Sequence, residues 1–546
     1  MALPSTYAST ALAGVFSHIA YFNRGEHHLY GPLYVKLFFT ALLGATAALS
    51  YIQEAAWTTA LSTASKVIGS YLLGIYGSLF VYRLFLHPLN KFPGPFNARI
   101  SDLWLTLQIR NNLHVKLVEL HQKYGSFVRV GSSDLSVLSP KAIEIVYGPN
   151  SRCIKGTTYD MTWPSVSLQL MRDPETHHAR RRVWSLAFSD KLVRGYEQRV
   201  RGYRKKLIDQ FTEMEGQPIN VRKWFNLYSF DVMGDLSFGQ GFGSLERKEY
   251  HWAIRLLNAT TDFVGLFLPA WASLLLTRIP GALGDFEKFL EFCGQRLMER
   301  FKNDPEIPDI SSSLFVPLKG RGLTEITPVE ENILYGDARL IVIAGSDTTS
   351  GALSTIFYEL VRHPEEIEKL RVELAPYVDK SQPDGEFLNS KIAHLDHLNG
   401  VINEALRLYP AVPSGLERLT PPEGIVIDGV HIPGGMHILC PMYALARSEL
   451  AYERPHDFIP ERWYKSPELV KDKTAFAPFS LGSFNCIGRP LALMNLRTTI
   501  ARLVMEFDIK MAPGEDGSRF LGNAKDNFVF YFGDLDLVFT RRELHE

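Results

Sequence analysis

Three apolar stretches occupy most of the first ninety residues and divide the chain into two unlike parts. They run from Ala8 to Phe22, from Leu37 to Ile52 and from Val67 to Leu86. A bilayer core about 30 Å thick is crossed by roughly 20 apolar residues in a helix, so each stretch approaches the length of a span. The segment HPLNKFPGP that follows holds three prolines and one glycine, which cannot continue a helix. We therefore expect a membrane anchor with up to three transmembrane segments over residues 1–90 and a separate domain over 91–546.

A cleaved signal peptide and buried core helices are the other interpretations of the apolar stretches. A signal peptide starts with a basic segment, whereas the first basic residue of this chain is Arg24. Arg83, Lys91 and Arg99 lie at or after the end of the third stretch, and basic residues mark the cytosolic side of a span. Anchoring is favoured, with the rest of the chain facing the cytosol.

The charge balance and the cysteine spacing exclude several function classes. Lysine and arginine total 58 against 59 acidic residues, a formal net charge of -1, so nothing indicates a nucleic-acid partner. The four cysteines are far apart in sequence, which predicts neither a disulfide framework nor a zinc site of the CxxC type. Partners and cofactors must therefore be inferred from local motifs.

Beyond residue 100 the hydrophobic pattern is mostly helical, with short β-like runs such as SFVRVGSSDLSVLSP and GIVIDGVHIPGG. No internal repeat is present, so we expect one mostly α domain with small β-sheets. The glycine-rich segment FGQGFGSLER, from Phe238, lacks the G-x-G-x-x-G spacing of a dinucleotide site. Its glycines are expected to end a helix.

The stretch FSLGSFNCIG places Cys486 in a small loop before RPLALMNLRTTIARLVMEF, which has the pattern of a long helix. Gly482 permits a turn with positive φ, and Gly488 permits the backbone to approach the sulfur. A thiolate beside a helix N-terminus has a lowered pKa, as required of a nucleophile or of an iron ligand. No protease signature is present, and Phe479 would supply part of the apolar face that a haem requires.

This loop resembles the haem-binding loop, FxxGxxxCxG, of the cytochrome P450 family. Three more family motifs occur in the expected order: AGSDTTSGALSTIFYELVRHP, NEALRLYP and FIPERW. The resemblance covers about residues 85–535. It implies the cytochrome P450 fold, preceded by N-terminal transmembrane helices, and haem b whose iron takes Cys486 as its axial ligand.

The resemblance also assigns roles to residues in the other motifs. Glu404, Arg407 and Arg462 correspond to a buried ion-paired triad behind the haem, and the first two share a helix face at i and i+3. Thr348 resembles the threonine that lies beside bound dioxygen in the family. Asp347 resembles the acid that helps to deliver protons through water.

Two further runs are similar to segments that hold the haem propionates. HHARRRVWSLAFS would contribute His177 and Arg181, and PSGLERLTPPEG would contribute Arg418. Most of the family carries arginine or histidine two residues before the cysteine, whereas this chain has Phe484. We expect the other three residues to take up the propionate charge. The remaining arginines of the first run are then free for other work, such as binding the acidic surface of a partner.

The implied activity is that of a haem-thiolate monooxygenase, most like fungal microsomal members of the family. It would insert one oxygen atom of dioxygen into a lipophilic small molecule, such as a terpenoid or another secondary metabolite. No reductase domain occurs in these 546 residues, so NADPH electrons would arrive through NADPH-cytochrome P450 reductase, with cytochrome b5 as a possible second donor. The expected location is the endoplasmic reticulum membrane, in contact with its lipid, with the catalytic domain in the cytosol.

Substrate contacts are expected, by analogy of position, from four segments: Tyr159 to Leu170, the run DFVGLFLPAWASLLL after Asp262, Val412 to Leu416, and the region of Phe528. Two other functions stay open at this point. Some haem-thiolate proteins are isomerases or dehydratases that work without a reductase. A membrane receptor or transport protein would instead use the N-terminal spans as its working part.

Overall fold

A computed structural model describes residues 4–109, 111–282, 284–303, 308–379 and 385–542. Helices dominate this part of the chain, as the sequence predicts. The α-helices are α1 (Pro4–Ser17), α2 (Gly31–Ile52), α3 (Trp57–Val81), α4 (Leu103–Ile109), α5 (Leu113–Tyr124), α6 (Pro140–Tyr147), α7 (Pro174–Ala187), α8 (Asp190–Glu213), α9 (Val221–Phe238), α10 (Ser244–Arg247), α11 (Trp252–Val264), α12 (Ala270–Leu276), α13 (Gly284–Phe301), α14 (Ile310–Leu314), α15 (Pro328–Arg362), α16 (Pro364–Leu374), α17 (Asn389–Ile392), α18 (Asp396–Leu408), α19 (Met442–Ala446), α20 (Arg489–Glu506) and α21 (Ser518–Gly522).

The strands are short and form small sheets at the edge of the helical body. They are β1 (Phe127–Arg129), β2 (Asp134–Val137), β3 (Ile154–Lys155), β4 (Pro218–Asn220), β5 (Arg418–Leu419), β6 (Ile425–Ile427), β7 (Val430–Ile432), β8 (His437–Leu439), β9 (Phe507–Met511), β10 (Lys525–Asn527), β11 (Val529–Tyr531) and β12 (Asp536–Arg541). One mixed sheet has the order β1-β2-β8-β5-β3, in which only the β2–β8 pair is parallel. Strands β4, β12 and β9 form a second sheet, and β6–β7 and β10–β11 are hairpins.

The three N-terminal helices correspond to the three apolar stretches. Each helix begins several residues before the stretch that it overlaps. Helix α2 and helix α3, each with its flanking turn, are long and apolar enough to cross a membrane. Helix α1 is shorter and packs along α3, where the backbone at Gly14 lies against Tyr71 and that at Gly74 against Ala11. Glycines at such a crossing let two helices approach closely.

Helix α15 is the central element of the larger body. It has 35 residues, begins with Thr327 as the N-cap in a capping box with Glu330, and ends just before Pro364. It is also long and apolar enough to cross a membrane, but 72% of its most apolar part is buried inside the protein. Helices α9, α13, α18 and α20 pack against it, so α15 is a core helix.

An ion-paired triad joins the end of α18 to the segment that carries FIPERW. The Glu404 carboxylate accepts hydrogen bonds from Arg407 Nη2 at 2.8 Å, Arg462 Nε at 3.1 Å and Trp463 Nε1 at 2.9 Å. Arg407 Nε also donates to Glu404 at 3.0 Å, and the remaining donors of both guanidinium groups go to backbone carbonyls, including Ala446 O at 2.6 Å. The structure thus brings together the three triad residues expected from the sequence, all of them buried.

Replacing Glu404 by glutamine should strongly destabilise the folded protein. The new amide keeps the shape but removes the charge that compensates two buried guanidinium groups, and breaking a buried pair in this way costs about 3–5 kcal/mol. The free energy of unfolding in denaturant is the measurement, and Glu368→Gln is the control because that side chain is 66% exposed and forms only a surface pair with Arg371. A Glu404→Gln protein as stable as the control would contradict a structural role for the triad.

Candidate active site

A large cavity lies between α15, the loop before α20 and the mixed sheet. Its volume is about 1150 Å³, and its wall is mostly apolar. All four segments expected to contact substrate contribute to the wall, among them Tyr159, Phe263, Val412 and Phe528. The loop that carries Cys486 also lines this cavity. One space therefore connects the predicted cofactor ligand with the predicted substrate segments.

The loop before α20 is shaped by Gly482 and ends with the cysteine. Gly482 has φ of +62°, and a Cβ at this position would lie 2.5 Å from the carbonyl oxygen of Gly148. Both the backbone conformation and the lack of space therefore require glycine. The Cys486 N–H donates to Phe479 O at 2.8 Å, which closes the loop around a short 3-10 turn. The exposed surface of Cys486 faces the cavity.

The thiol of Cys486 lies at the N-terminal end of α20, as predicted. Burial raises its pKa, whereas the N–H groups of Gly488 and Arg489 and the positive charge of Arg181 oppose that rise. The net direction differs from the lowered pKa expected from the sequence, because removal from water outweighs the helix-end donors. Those donors nevertheless point at the sulfur and would stabilise a thiolate once a metal displaced the proton.

Gly488 and Phe479 both line the cavity beside the sulfur. Gly488 has an ordinary φ of -78°, and a Cβ there would lie 3.9 Å from the sulfur of Cys486, which is a normal contact. Neither space nor backbone strain in the loop itself therefore demands glycine at this position. Phe479 is half-buried, packs against the main core and presents an apolar surface next to the thiol.

A cluster of basic side chains surrounds Phe484 on one side of the cavity. Lys155 Nζ lies 5.0 Å and Arg418 Cζ 5.2 Å from the centre of the Phe484 ring, and the His177 ring lies 4.6 Å from it. Lys155 and Arg418 are direct cross-strand partners in the β3–β5 pair, an arrangement that repels. Both are buried, and the Nε atom of Arg418 has no hydrogen-bond partner among the described residues.

His177 and Arg181 contribute less charge to this cluster than the sequence predicts. Burial and the charges of Lys155 and Arg181 lower the pKa of His177 to about 3, so it is neutral at pH 7 and offers one N–H donor. Arg181 donates to the backbone oxygen of Asn485 at 2.8 Å and also to its side chain, which fastens helix α7 to the cysteine loop. The neighbouring Arg180 binds buried Asp337 at 2.7 Å and is thus unavailable to a protein partner.

These features fit a haem with its two carboxylates. Lys155 Nζ donates to the backbone oxygens of Leu168 and Gln169 at 3.0 and 2.7 Å, but neither Lys155 nor Arg418 forms an ion pair with a described carboxylate, and the unpartnered Arg418 Nε–H marks a place for an anionic oxygen. Cys486 presents one sulfur to the same cavity, and Phe479 adds an apolar surface. Lys155 and Arg418 would hold the propionates, and Cys486 would hold the iron.

The middle of α15 forms the wall on the far side of the cavity from the cysteine loop. Ala344 is exposed to the cavity, and the Thr348 hydroxyl lines it while donating to Ala344 O at 2.7 Å. Asp347 is buried and does not line the cavity. Its carboxylate instead accepts hydrogen bonds from Tyr531 Oη at 2.7 Å and Asn226 Nδ2 at 3.2 Å.

Tyr531 links this acid to the cavity, because its side chain lines the wall while its hydroxyl holds Asp347. Burial raises the pKa of Asp347, and the hydrogen bonds from Tyr531 and Asn226 oppose that rise. Burial and the neighbouring carboxylate raise the pKa of Tyr531 well above its ordinary value, so its hydroxyl stays protonated. The sequence does not predict Tyr531, Asn226 or Lys155, since each lies outside the recognised motifs.

Comparisons with known proteins agree with this geometry. The family model described as Cytochrome P450 matches residues 93–529. A cytochrome P450 monooxygenase of Aspergillus versicolor is 46% identical, over 99% of each protein. Tryprostatin B 6-hydroxylase of Aspergillus fumigatus is 44% identical, over 98% of this chain and 96% of the relative. The crystal structure of the cytochrome P450DA haem domain, 20% identical, has a TM-score of 0.66 over 80% of this chain and 94% of that chain, which shows the shared fold.

Lys155→Met should weaken haem retention, because it removes one of two buried cations that would hold the propionates. Loss of a charged hydrogen bond of about 1.5–3 kcal/mol corresponds to roughly 10- to 150-fold in affinity. Phe484→Arg should bind haem at least as tightly as the natural chain, and the double variant should recover what Lys155→Met loses. The measurement is the rate of haem transfer to excess apomyoglobin.

Lys391→Met is the control for this series, because Lys391 is exposed on the short helix α17. Faster haem loss from Phe484→Arg than from the natural chain would contradict the expectation that the pocket can accept another cation. Unchanged transfer from Lys155→Met would exclude Lys155 as a propionate ligand.

Proposed function

This chain belongs to the cytochrome P450 family, and we propose that it is a membrane-anchored haem-thiolate monooxygenase supplied with electrons by a separate NADPH-dependent reductase. Its relatives of 34–46% identity include named fungal cytochrome P450 monooxygenases, so the chain is an oxygen-incorporating oxidoreductase. The observation that carries the proposal is the position of Cys486, whose thiol faces the same cavity as the predicted substrate segments and the Thr348 hydroxyl.

A haem held by a cysteine thiolate activates dioxygen for insertion of one oxygen atom into an unreactive C–H bond. The protein residues supply the surroundings for that chemistry. The apolar wall excludes bulk water and binds a lipophilic molecule. The Gly488 and Arg489 N–H groups stabilise negative charge on the sulfur, and Thr348 offers a hydroxyl on the opposite wall.

We assign proton delivery to Asp347, by one of two routes. Tyr531 Oη donates to one carboxylate oxygen and Asn226 Nδ2 to the other, so the acid is held away from the cavity. A proton can reach the cavity either when the Asp347 side chain turns toward Thr348 or by relay through the Tyr531 hydroxyl. In both routes the raised pKa that burial gives Asp347 favours its protonated form as a donor.

The electron donor is proposed to dock behind the cysteine loop. Arg182 and Arg489 are exposed beside this loop, and positive side chains there would complement an acidic flavoprotein reductase. Cytochrome b5 is the second candidate for the same surface. Both assignments rest on the family resemblance and on this local charge.

The N-terminal helices support an anchor in which α2 and α3 cross the bilayer. In that arrangement the α1–α2 loop and the catalytic domain lie on the same side, and their contacts agree with this. Glu26 forms a bidentate pair with Arg172 at 2.6 and 2.7 Å, and His28 Nε2 lies 2.8 Å from Asp160 Oδ2. We place the catalytic domain on the cytosolic face of the endoplasmic reticulum membrane.

A lipophilic secondary metabolite is the proposed substrate. Two relatives, of 44% and 43% identity, are named tryprostatin B 6-hydroxylases, so tryprostatin B is the first compound to test, ahead of terpenoids. An isomerase or dehydratase activity is less well supported, because Asp347 and Thr348 keep the acid and hydroxyl needed for proton delivery. The family membership argues against a receptor or transport protein.

The first experiment is a carbon monoxide difference spectrum of the full chain expressed with a fungal reductase. The reduced protein should show the shifted Soret band of a thiolate-bound haem, and Cys486→Ser should abolish it because a serine hydroxyl is a far weaker ligand for iron. Cys440→Ser is the matched control, since this buried cysteine follows the cavity-lining Leu439 without lining the cavity itself. Purified protein without haem would refute the proposed function.

Thr348→Ala should uncouple NADPH consumption from product formation, because the α15 wall would lose its hydroxyl donor. Asp347→Asn should lower product formation by about 10²-fold, the lower range for loss of general acid catalysis. Product and hydrogen peroxide formed per NADPH are the measurements. The control is Thr355→Ala. This threonine lies seven residues further along the same helix, and its hydroxyl donates to Ala352 O at 3.0 Å. Full coupling in Thr348→Ala would refute the assignment.

A further inference from the structure

Arg339 is a buried cation in the cavity wall that the proposed chemistry does not use. It lies on α15, is 7% exposed and lines the cavity. Within the described part of the chain no group accepts a hydrogen bond from it, and its Nε atom is fully buried. Its Cζ atom lies 5.3 Å from the centre of the Phe286 ring, which is part of the same wall.

The carboxylate of Asp337 raises the pKa of Arg339, but both of its oxygens already accept hydrogen bonds from other groups. Oδ1 accepts from the Leu168 N–H at 2.8 Å. Oδ2 accepts from Arg180 Nε at 2.7 Å and from Trp184 Nε1 at 2.8 Å. The single carboxylate charge of Asp337 is therefore shared between the guanidinium groups of Arg180 and Arg339. Burial lowers the pKa of Arg339 to about 10, so the side chain still carries its charge at pH 7.

Arg339 is also distinct from the basic cluster around Phe484. The charges of that cluster act on one another, since burial first, and then the charges of Arg418 and Arg181, lower the pKa of Lys155. The pKa of Arg339 is lowered by burial and raised by Cys293 and Asp337, and no member of that cluster is among these causes. A haem carboxylate held by Lys155 and Arg418 would thus leave Arg339 without a partner.

A buried guanidinium without an acceptor is costly, and it is retained most readily where a ligand supplies the acceptor. Water inside the cavity could satisfy its N–H groups in the absence of ligand. An oxygen of the bound molecule would replace that water, and the charge would strengthen each hydrogen bond it donates. The wall is mostly apolar, so this cation is a strong polar feature within it.

We propose that Arg339 is the polar anchor of the substrate site and binds an oxygen acceptor, an amide carbonyl or a carboxylate, on an otherwise lipophilic substrate. This inference rests on the proposed function, because it takes the cavity as the substrate site. Arg339 precedes Ala344 by five residues, which is about 7.5 Å along a helix. The anchor therefore fixes the acceptor at one place along α15 and selects a carbon at that distance for reaction.

The test is calorimetric binding to the full-length, haem-loaded protein in phosphatidylcholine nanodiscs, with empty nanodiscs as the blank. The probes are 1-naphthylacetamide, 1-naphthylacetate and 1-ethylnaphthalene, which share one ring system and differ in the acceptor. The natural chain should bind at least one oxygen-bearing probe about 10- to 150-fold more tightly than the hydrocarbon, the range for a charged hydrogen bond. Whichever of 1-naphthylacetamide and 1-naphthylacetate binds more tightly shows whether the site prefers a carbonyl or a carboxylate.

Arg339→Leu should lose this preference and bind 1-ethylnaphthalene as well as before. Arg362→Leu, on the same helix with its side chain 47% exposed, should keep the preference. If the leucine variant does not accumulate, Arg339→Gln is closer in shape and should lose at least the preference for the carboxylate.

Equal binding of all three probes by the natural chain would overturn the proposal. So would an equal loss for all three probes in Arg339→Leu, since that result indicates a purely structural arginine. The binding measurement requires no reductase and no turnover. A natural chain that lacked the thiolate-haem spectrum would refute the proposed function, whereas a chain with that spectrum and no acceptor preference would refute only the role of Arg339.

Discussion

One helix must be both the core of the catalytic domain and the wall of its cavity, and the remaining elements are arranged around that requirement. Helix α15 packs on α9, α13, α18 and α20, so it is buried on nearly every side. The exception is the stretch near Ala344, where small and polar residues replace large apolar ones. A continuous helix gives these residues a rigid backbone, so the acid, the hydroxyl and Arg339 keep fixed relative positions along one axis.

Positive charge at the cavity wall is the second constraint, because Lys155, Arg418 and Arg339 are buried there and none forms an ion pair with a described acid. Lys155 and Arg418 are cross-strand partners, and Arg339 shares the carboxylate of Asp337 with Arg180. These arrangements destabilise the protein without ligands, and any anion that binds the folded state alone would stabilise it. Cofactor and substrate would then contribute to folding at two separate places. The cysteine loop, by contrast, is determined by backbone geometry at Gly482.

The sequence predicts the fold class and the local structure around the motifs, because the contacts there are local or depend on fixed spacing. Cys486 precedes a strong helix pattern, and Glu404 and Arg407 share a helix turn, so both features are legible without coordinates. Lys155 is different, since its proximity to Arg418 depends on the register of two short strands 263 residues apart. A sequence pattern contains no signal for that register.

The orientation of side chains is likewise beyond the sequence. Asp347 and Thr348 are adjacent in the motif, yet only the threonine lines the cavity, because successive helical residues point about 100° apart. The partners that hold Asp347 come from α9 and β11, far away in the chain. Arg339 looks like an ordinary solvated helix residue until the packing of α13 and α15 buries it. Tertiary contacts, rather than local propensity, decide these three cases.

The contact between the α1–α2 loop and the catalytic domain has a practical consequence. Residues from Phe22 to His28 form part of the cavity wall, and Glu26 is tied to Arg172. The anchor is therefore not a simple tether that can be cut away to obtain a water-soluble enzyme. A truncated form would open one side of the chamber, and homologues that differ in these few residues would differ in which molecules can enter the cavity.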